Sequence, residues 1–108
     1  MKANDILREG AAILEQRGKQ RDAEDGERSM AKTVDMFNLL TGHTLTEEEG
    51  WQLMVLLKMV RHSQGDFTAD DLVDGTNYMA LASEAAHQAN PPLPDHMSND
   101  MISGGQHE

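Results

Sequence analysis

The sequence predicts an all-α domain: a four-helix bundle-like fold with a central helical hairpin formed by the third and fourth helices, and a flexible C-terminal tail. Three observations predict it. Apolar residues make up 38% of the 108 positions but aromatics only 4%, so the core must be built from Leu, Met, Val, Ile and Ala, whereas strands draw on β-branched and aromatic side chains. Apolar positions recur at helical spacing in four segments. Gly18, Gly42 and Gly65 stand where that pattern breaks. A chain of this length builds one core of modest size, so a single helical domain is expected over residues 1–87 and a tail over residues 88–108.

The first helix is expected to be capped by Asn4 or Asp5, to carry Ile6, Leu7, Ala11, Ile13 and Leu14 on one stripe, and to stop at Gly18. From Lys19 to Arg28 the chain is polar and contains a glycine, which reads as an exposed connection. A second helix starts near Glu27 to Ser29, aligns Met30, Val34, Phe37 and Leu40, and ends at Gly42. Thr46-Glu47-Glu48-Glu49 has the form of a capping box, with the hydroxyl at N-cap and Glu49 at N3, and the acidic turn complements the helix dipole.

The third helix then runs through Trp51, Leu53, Met54, Val55, Leu56, Leu57, Met59 and Val60 to Gly65. Apolar on nearly every side, it predicts either a central helix surrounded by the others or an oligomer seam. Thr68 opens the fourth helix with Asp71 at N3, and Phe67 is placed to staple onto Leu72. Leu72, Val73, Met79, Leu81, Ala82 and Ala85 give that helix a small-residue packing face. Beyond His87 the run Asn90-Pro91-Pro92-Leu93-Pro94 and the Asp, Ser, Asn and Gly after it offer too little apolar surface to offset chain ordering.

Charge narrows the classes of function. Nine basic residues against nineteen acidic ones leave a formal charge of -10, which argues against direct nucleic-acid binding because phosphate neutralisation needs clustered Lys and Arg. The cations are also unevenly spread. Only Lys58 and Arg61 follow Lys32. No cysteine is present, so thiolate metal sites and disulfides are excluded, as suits a reducing compartment. No apolar run approaches the roughly 20 residues a membrane helix needs, and the opening residues lack the apolar stretch of a signal peptide. A cytoplasmic protein is expected.

A helical hairpin turning at Ser63 to Phe67 sets residues equally distant from the turn against each other. Lys58 then faces Asp74, and Arg61 faces Asp70 and Asp71. Lys58 and Arg61 are three apart, while Asp71, Asp74 and Tyr78 follow i, i+3, i+7 spacing, so all five can share one surface. Two readings stay open. One is a set of inter-helix salt bridges, each worth little. The other places Lys58 and Arg61 on the phosphates of a ligand oriented by Tyr78, with Asp71 and Asp74 holding Mg²⁺.

Several stretches resemble a family of small helical phage and prophage proteins: Arg17-Gly18-Lys19, Phe37 to Gly42, Met54 to Arg61, Asp71-Leu72-Val73-Asp74 and Tyr78. The resemblance covers roughly residues 7 to 86, and Lys-x-x-Arg followed by Asp-x-x-Asp-x-x-x-Tyr is its most specific part. It implies a fold and a viral or prophage origin rather than a reaction. The layout is also similar to the MazG-type all-α nucleotide pyrophosphohydrolases, which bind Mg²⁺ with carboxylates on neighbouring helices. Asp71 and Asp74 match that family's Glu-x-x-Asp motif, whereas its Glu-Glu-x-x-Glu motif has no counterpart in this chain. A helical phage nucleotide kinase, with Lys-x-x-Arg before an acidic helix ending in Tyr, is a further analogy.

The leading expectation is therefore a phage nucleotide-binding or nucleotide-processing protein. The alternative is an acidic phage-encoded protein that binds or inhibits a host protein, as a nucleic-acid mimic would. A homo-oligomer is expected in either case, because a chain this short can hardly cover so apolar a third helix. The five histidines, including His62 beside Arg61, show no i, i+4 pair, so zinc is not expected.

Overall fold

The computed structural model describes residues 1–21 and 29–91. Four helices follow in order: α1 (Ala3–Arg21), α2 (Ser29–Thr41), α3 (Glu47–Gln64) and α4 (Ala69–Ala89), with no strand among the described residues. The hairpin of α3 and α4 forms the centre. α1 packs on α4 and α2 packs on α3, with no contact between α1 and α2. The architecture is the expected all-α bundle-like fold, with the hairpin as the only element that touches both outer helices.

Local signals explain most helix ends. The capping box of α3 is complete: the Glu49 N–H donates to Thr46 Oγ1 at 3.1 Å and the Thr46 N–H donates to Glu49 Oε1 at 2.9 Å. At the start of α1, Asp5 works from the first turn and accepts the Lys2 N–H at 3.1 Å. Gly42 ends α2 with φ +76, a left-handed conformation that glycine adopts without strain. The α2–α3 connection is also tied by Asn38, whose side chain accepts from the Leu45 N–H at 2.8 Å and donates to the Leu45 carbonyl at 2.9 Å. Sequence spacing did not single out that clasp.

Two expected boundaries differ. α1 does not stop at Gly18; it continues to Arg21 with Gly18 buried, because a single glycine costs a helix only about 1 kcal/mol relative to alanine. α4 runs two residues into the expected tail, to Ala89, with the Asn90 N–H closing on the Ala86 carbonyl at 3.1 Å. Residues 92–108, the rest of the expected tail, lie outside the described residues, as do residues 22–28 of the expected connection. At the start of α4, Thr68 occupies the N-cap, but its hydroxyl donates to the Asp71 carboxylate at 2.6 Å and caps no backbone N–H. Phe67, expected to staple onto Leu72, is largely exposed and meets the His62 ring edge-on at 5.9 Å.

The core is small. Trp51, Leu81, Ala82 and Ala85 form its buried cluster, and Leu14, Met30, Met54 and Tyr78 pack against it, so all four helices contribute. Two glycines set the helix approaches. A Cβ on Gly10 of α1 would lie 2.6 Å from Asn77 Oδ1 of α4, and one on Gly50 of α3 would lie 2.5 Å from Met30 Sδ and 2.8 Å from Val34 Cγ1 of α2. Both are below any ordinary contact distance. Gly50→Ala is therefore expected to push α2 outward and lower stability by about 1–3 kcal/mol, the usual range for overpacking; chemical denaturation measures it, and an unchanged midpoint would show that α2 yields freely.

A candidate anion site at a three-helix charge cluster

The turn between α3 and α4 sets the register that the site depends on. Lys58 lies two helical turns after Trp51, on the side of α3 that faces α4, and Asp74 meets it there. Lys58 Nζ stands 3.1 Å from Asp74 Oδ2, with only 14% and 13% of the two side chains exposed. Arg17 reaches the same carboxylate from α1, its Nη2 lying 3.6 Å from Asp74 Oδ1. Asp74 thus receives a cation on each oxygen, one from each neighbouring helix. The three groups together carry one net positive charge inside a chain whose total is -10.

Beside this cluster lies an open hollow of about 320 Å³ between α1 and α4, lined by Ile13, Gln16, Arg17, Asp70, Val73 and Asp74. Ile13 and Val73 give it an apolar part, and Arg17, Asp70 and Asp74 a charged one. Below it, Asn77 is buried against Gly10, and its Nδ2 has no hydrogen-bond partner. A buried amide left in that state costs about 1–3 kcal/mol, so the α1–α4 seam carries polar groups beyond what packing alone requires.

The five residues grouped by sequence spacing do not all meet. Lys58 and Asp74 come together as the hairpin register requires. Asp71 turns to the Thr68 hydroxyl at the helix start, and Asp70, one position earlier, lines the hollow instead. Arg61 is exposed in the last turn of α3, with no carboxylate partner among the described residues. Tyr78 is stacked on Trp51, ring centroids 5.6 Å apart at 19°, as part of the core. His62 has its Nδ1 buried without a partner beside Phe67. Among the described residues no group of three or more His, Asp or Glu side chains is gathered around a common point.

Arg17 and Gln16 lie on α1, where spacing on α3 and α4 could not reveal them, and the hairpin count put Asp70 beside Asp71 without separating the two. One signal was available on α1. Gly10, Leu14 and Arg17 follow i, i+4, i+7 spacing, and a glycine on such a face marks the side turned to another helix, which makes Arg17 an inward cation.

A family described as a domain of unknown function, DUF6378, matches residues 5–86. The chain belongs to that family. The matched span contains α2 and α3 whole, all but the ends of α1 and α4, and every residue of the charge cluster. No curated protein and no solved structure matches the chain.

Proposed function

We propose that this DUF6378 chain binds a phosphate-bearing small molecule, a nucleotide in the first instance, in the hollow between α1 and α4. The observation that carries the reading is the convergence of Arg17, Lys58 and Asp74 from three helices beside an open cavity. Holding Lys58 and Asp74 largely away from water costs several kcal/mol in desolvation, and apolar residues of similar volume would stabilise the fold as well or better. Such groups are concentrated where a protein has use for them. Guanidinium and ammonium groups are the standard donors to phosphate oxygens. A phosphate entering the hollow would take over part of the role of Asp74 as counter-ion.

The same geometry bears on the magnesium expectation. Asp74 already faces a cation on each oxygen, so it is poorly placed as a metal ligand. Asp70 is the carboxylate left facing the hollow. Mg²⁺ commonly binds through one or two carboxylates plus substrate phosphates, so an ion arriving with the nucleotide would find Asp70 in the lining of the hollow. Hydrolysis of the MazG type would need further carboxylates on the helix that here presents Lys58, and the reading accordingly stops at binding. It does not depend on a phage origin.

Thermal unfolding of the full chain with nucleoside mono-, di- and triphosphates and with inorganic phosphate, each with and without Mg²⁺, tests this directly. A ligand present at a hundred times its Kd adds about 2.7 kcal/mol to stability, which for a domain of this size is a rise of several degrees in Tm. Lys58→Met is expected to abolish the shift. A Tm that moves for none of these compounds rejects the reading.

A further inference from the structure

The hollow between α1 and α4 is unevenly equipped for an anion. Among its lining residues only Gln16 and Arg17 carry side-chain N–H donors, and Arg17 is the one cation. Lys58 is not part of the lining; it meets Asp74 from α3 at 3.1 Å, with 14% of its side chain exposed. Arg17 approaches the other carboxylate oxygen at 3.6 Å, a looser pair, and is 42% exposed. The two cations of the cluster therefore differ in what they are free to do. Lys58 is committed to Asp74, whereas Arg17 can turn its guanidinium to a guest in the hollow and still leave Asp74 with a counter-ion.

We infer that the hollow accepts a single phosphate group, held by Arg17 with Lys58 kept behind it on Asp74, and that it refuses a di- or triphosphate unless Mg²⁺ accompanies it. The inference rests on the ligand reading above and narrows its ligand to a phosphate monoester. The first ground is the donor set. A guanidinium offers two parallel N–H groups to two oxygens of one phosphate, and the lining holds no second cation for the next phosphate in a chain.

The second ground is charge. Arg17 with Asp70 and Asp74 gives the lining a charge of -1, and Lys58 behind Asp74 brings the group to zero. A monoester adds about -1.5 to -2 near neutral pH, which the freed guanidinium meets directly. Every further phosphate adds negative charge beside Asp70, which has no ion-pair partner among the described residues. Like charges at such short range repel strongly where water is partly excluded. Mg²⁺ reverses the sign of that contact, because it binds a carboxylate and phosphate oxygens together.

Calorimetric titration of the full chain with the mono-, di- and triphosphates of adenosine, guanosine, cytidine and uridine tests this. Without Mg²⁺ the best monophosphate is expected to bind at least about tenfold more tightly than the triphosphate of the same base, a difference of about 1.4 kcal/mol. Added Mg²⁺, and separately Asp70→Asn, should each narrow that gap. Arg17→Gln is expected to weaken monophosphate binding at least about tenfold with little change in the urea midpoint, since so exposed a pair adds little stability. The role of Lys58 is read from a pair of variants. Lys58→Met alone leaves Asp74 to hold Arg17 and should lose binding, whereas Lys58→Met with Asp74→Leu frees Arg17 and should recover it.

A folded double variant that fails to bind would show that Lys58 itself reaches the phosphate, and overturns the inference. A triphosphate that binds as tightly as the monophosphate without Mg²⁺ overturns it with no variant needed. Those two results leave the ligand reading standing. Failure of every nucleotide to bind rejects both.

Discussion

Asp74→Ala is expected to lower the unfolding free energy by about 3 kcal/mol, near the lower end of the range for breaking one side of a buried ion pair. The carboxylate is the shared counter-ion of Lys58 at 3.1 Å and Arg17 at 3.6 Å. Arg17 is 42% exposed and can turn to water. Lys58 cannot do so readily: its side chain is 14% exposed, and without Asp74 its ammonium is left desolvated and unpaired. The charge left behind sets the cost, more than the lost attraction does. The double variant Lys58→Met with Asp74→Leu is therefore expected to recover most of the loss, since an apolar pair of similar volume is often neutral or stabilising. Urea unfolding of the three proteins measures both effects. A loss below about 1 kcal/mol, the scale of solvent-exposed pairs, would show that water reaches Lys58 freely.

Trp51→Ala is expected to cost about 3–5 kcal/mol, the range for truncating a large aromatic in a core. Trp51 is the largest member of the buried cluster, and its indole stacks on Tyr78 at 5.6 Å. Around that cluster lie Leu14 of α1, Met30 of α2 and Met54 of α3, with Leu81, Ala82 and Ala85 of α4. The outer helices do not touch each other, so the cluster is where the four helices are tied into one unit. Against a total stability of about 5–15 kcal/mol for an ordinary domain, the truncation leaves little margin. The helical circular dichroism signal and the denaturant midpoint should fall together. Trp51→Phe retains an aromatic ring to stack on Tyr78 and should retain about half of the stability lost. A Trp51→Ala protein with an unchanged midpoint would mean that the helices are held elsewhere.

The helix starts and stops were legible because each depends on residues within a few positions of one another. Thr46 and Glu49 satisfy each other three residues apart, and Gly42 provides the backbone turn after α2. The Lys58–Asp74 pair was legible for a related reason. A short antiparallel turn leaves little freedom in register, so counting outward from it places Lys58 opposite Asp74. The same count could not separate Asp70 from Asp71, neighbours that differ by 100° around the helix. One faces the hollow and the other closes on Thr68. Tyr78 shared the periodicity of the acidic residues, yet its ring turned to Trp51, because burying an aromatic surface outweighs keeping it beside charges.

By itself the sequence determined the helical class, the four segments, the capping box and the charge pair across the hairpin, since all follow from local hydrogen-bonding needs, periodicity and one short turn. Tertiary structure decided which side of each helix meets a neighbour. It brought Arg17 onto Asp74 from a helix distant along the chain, let Gly10 and Gly50 draw the outer helices inward, and left Leu53, Leu56, Leu57 and Val60 uncovered on α3. Those outcomes depend on how whole helices rotate and approach, which is governed by the summed packing of many side chains and not by any one residue's neighbours in the chain.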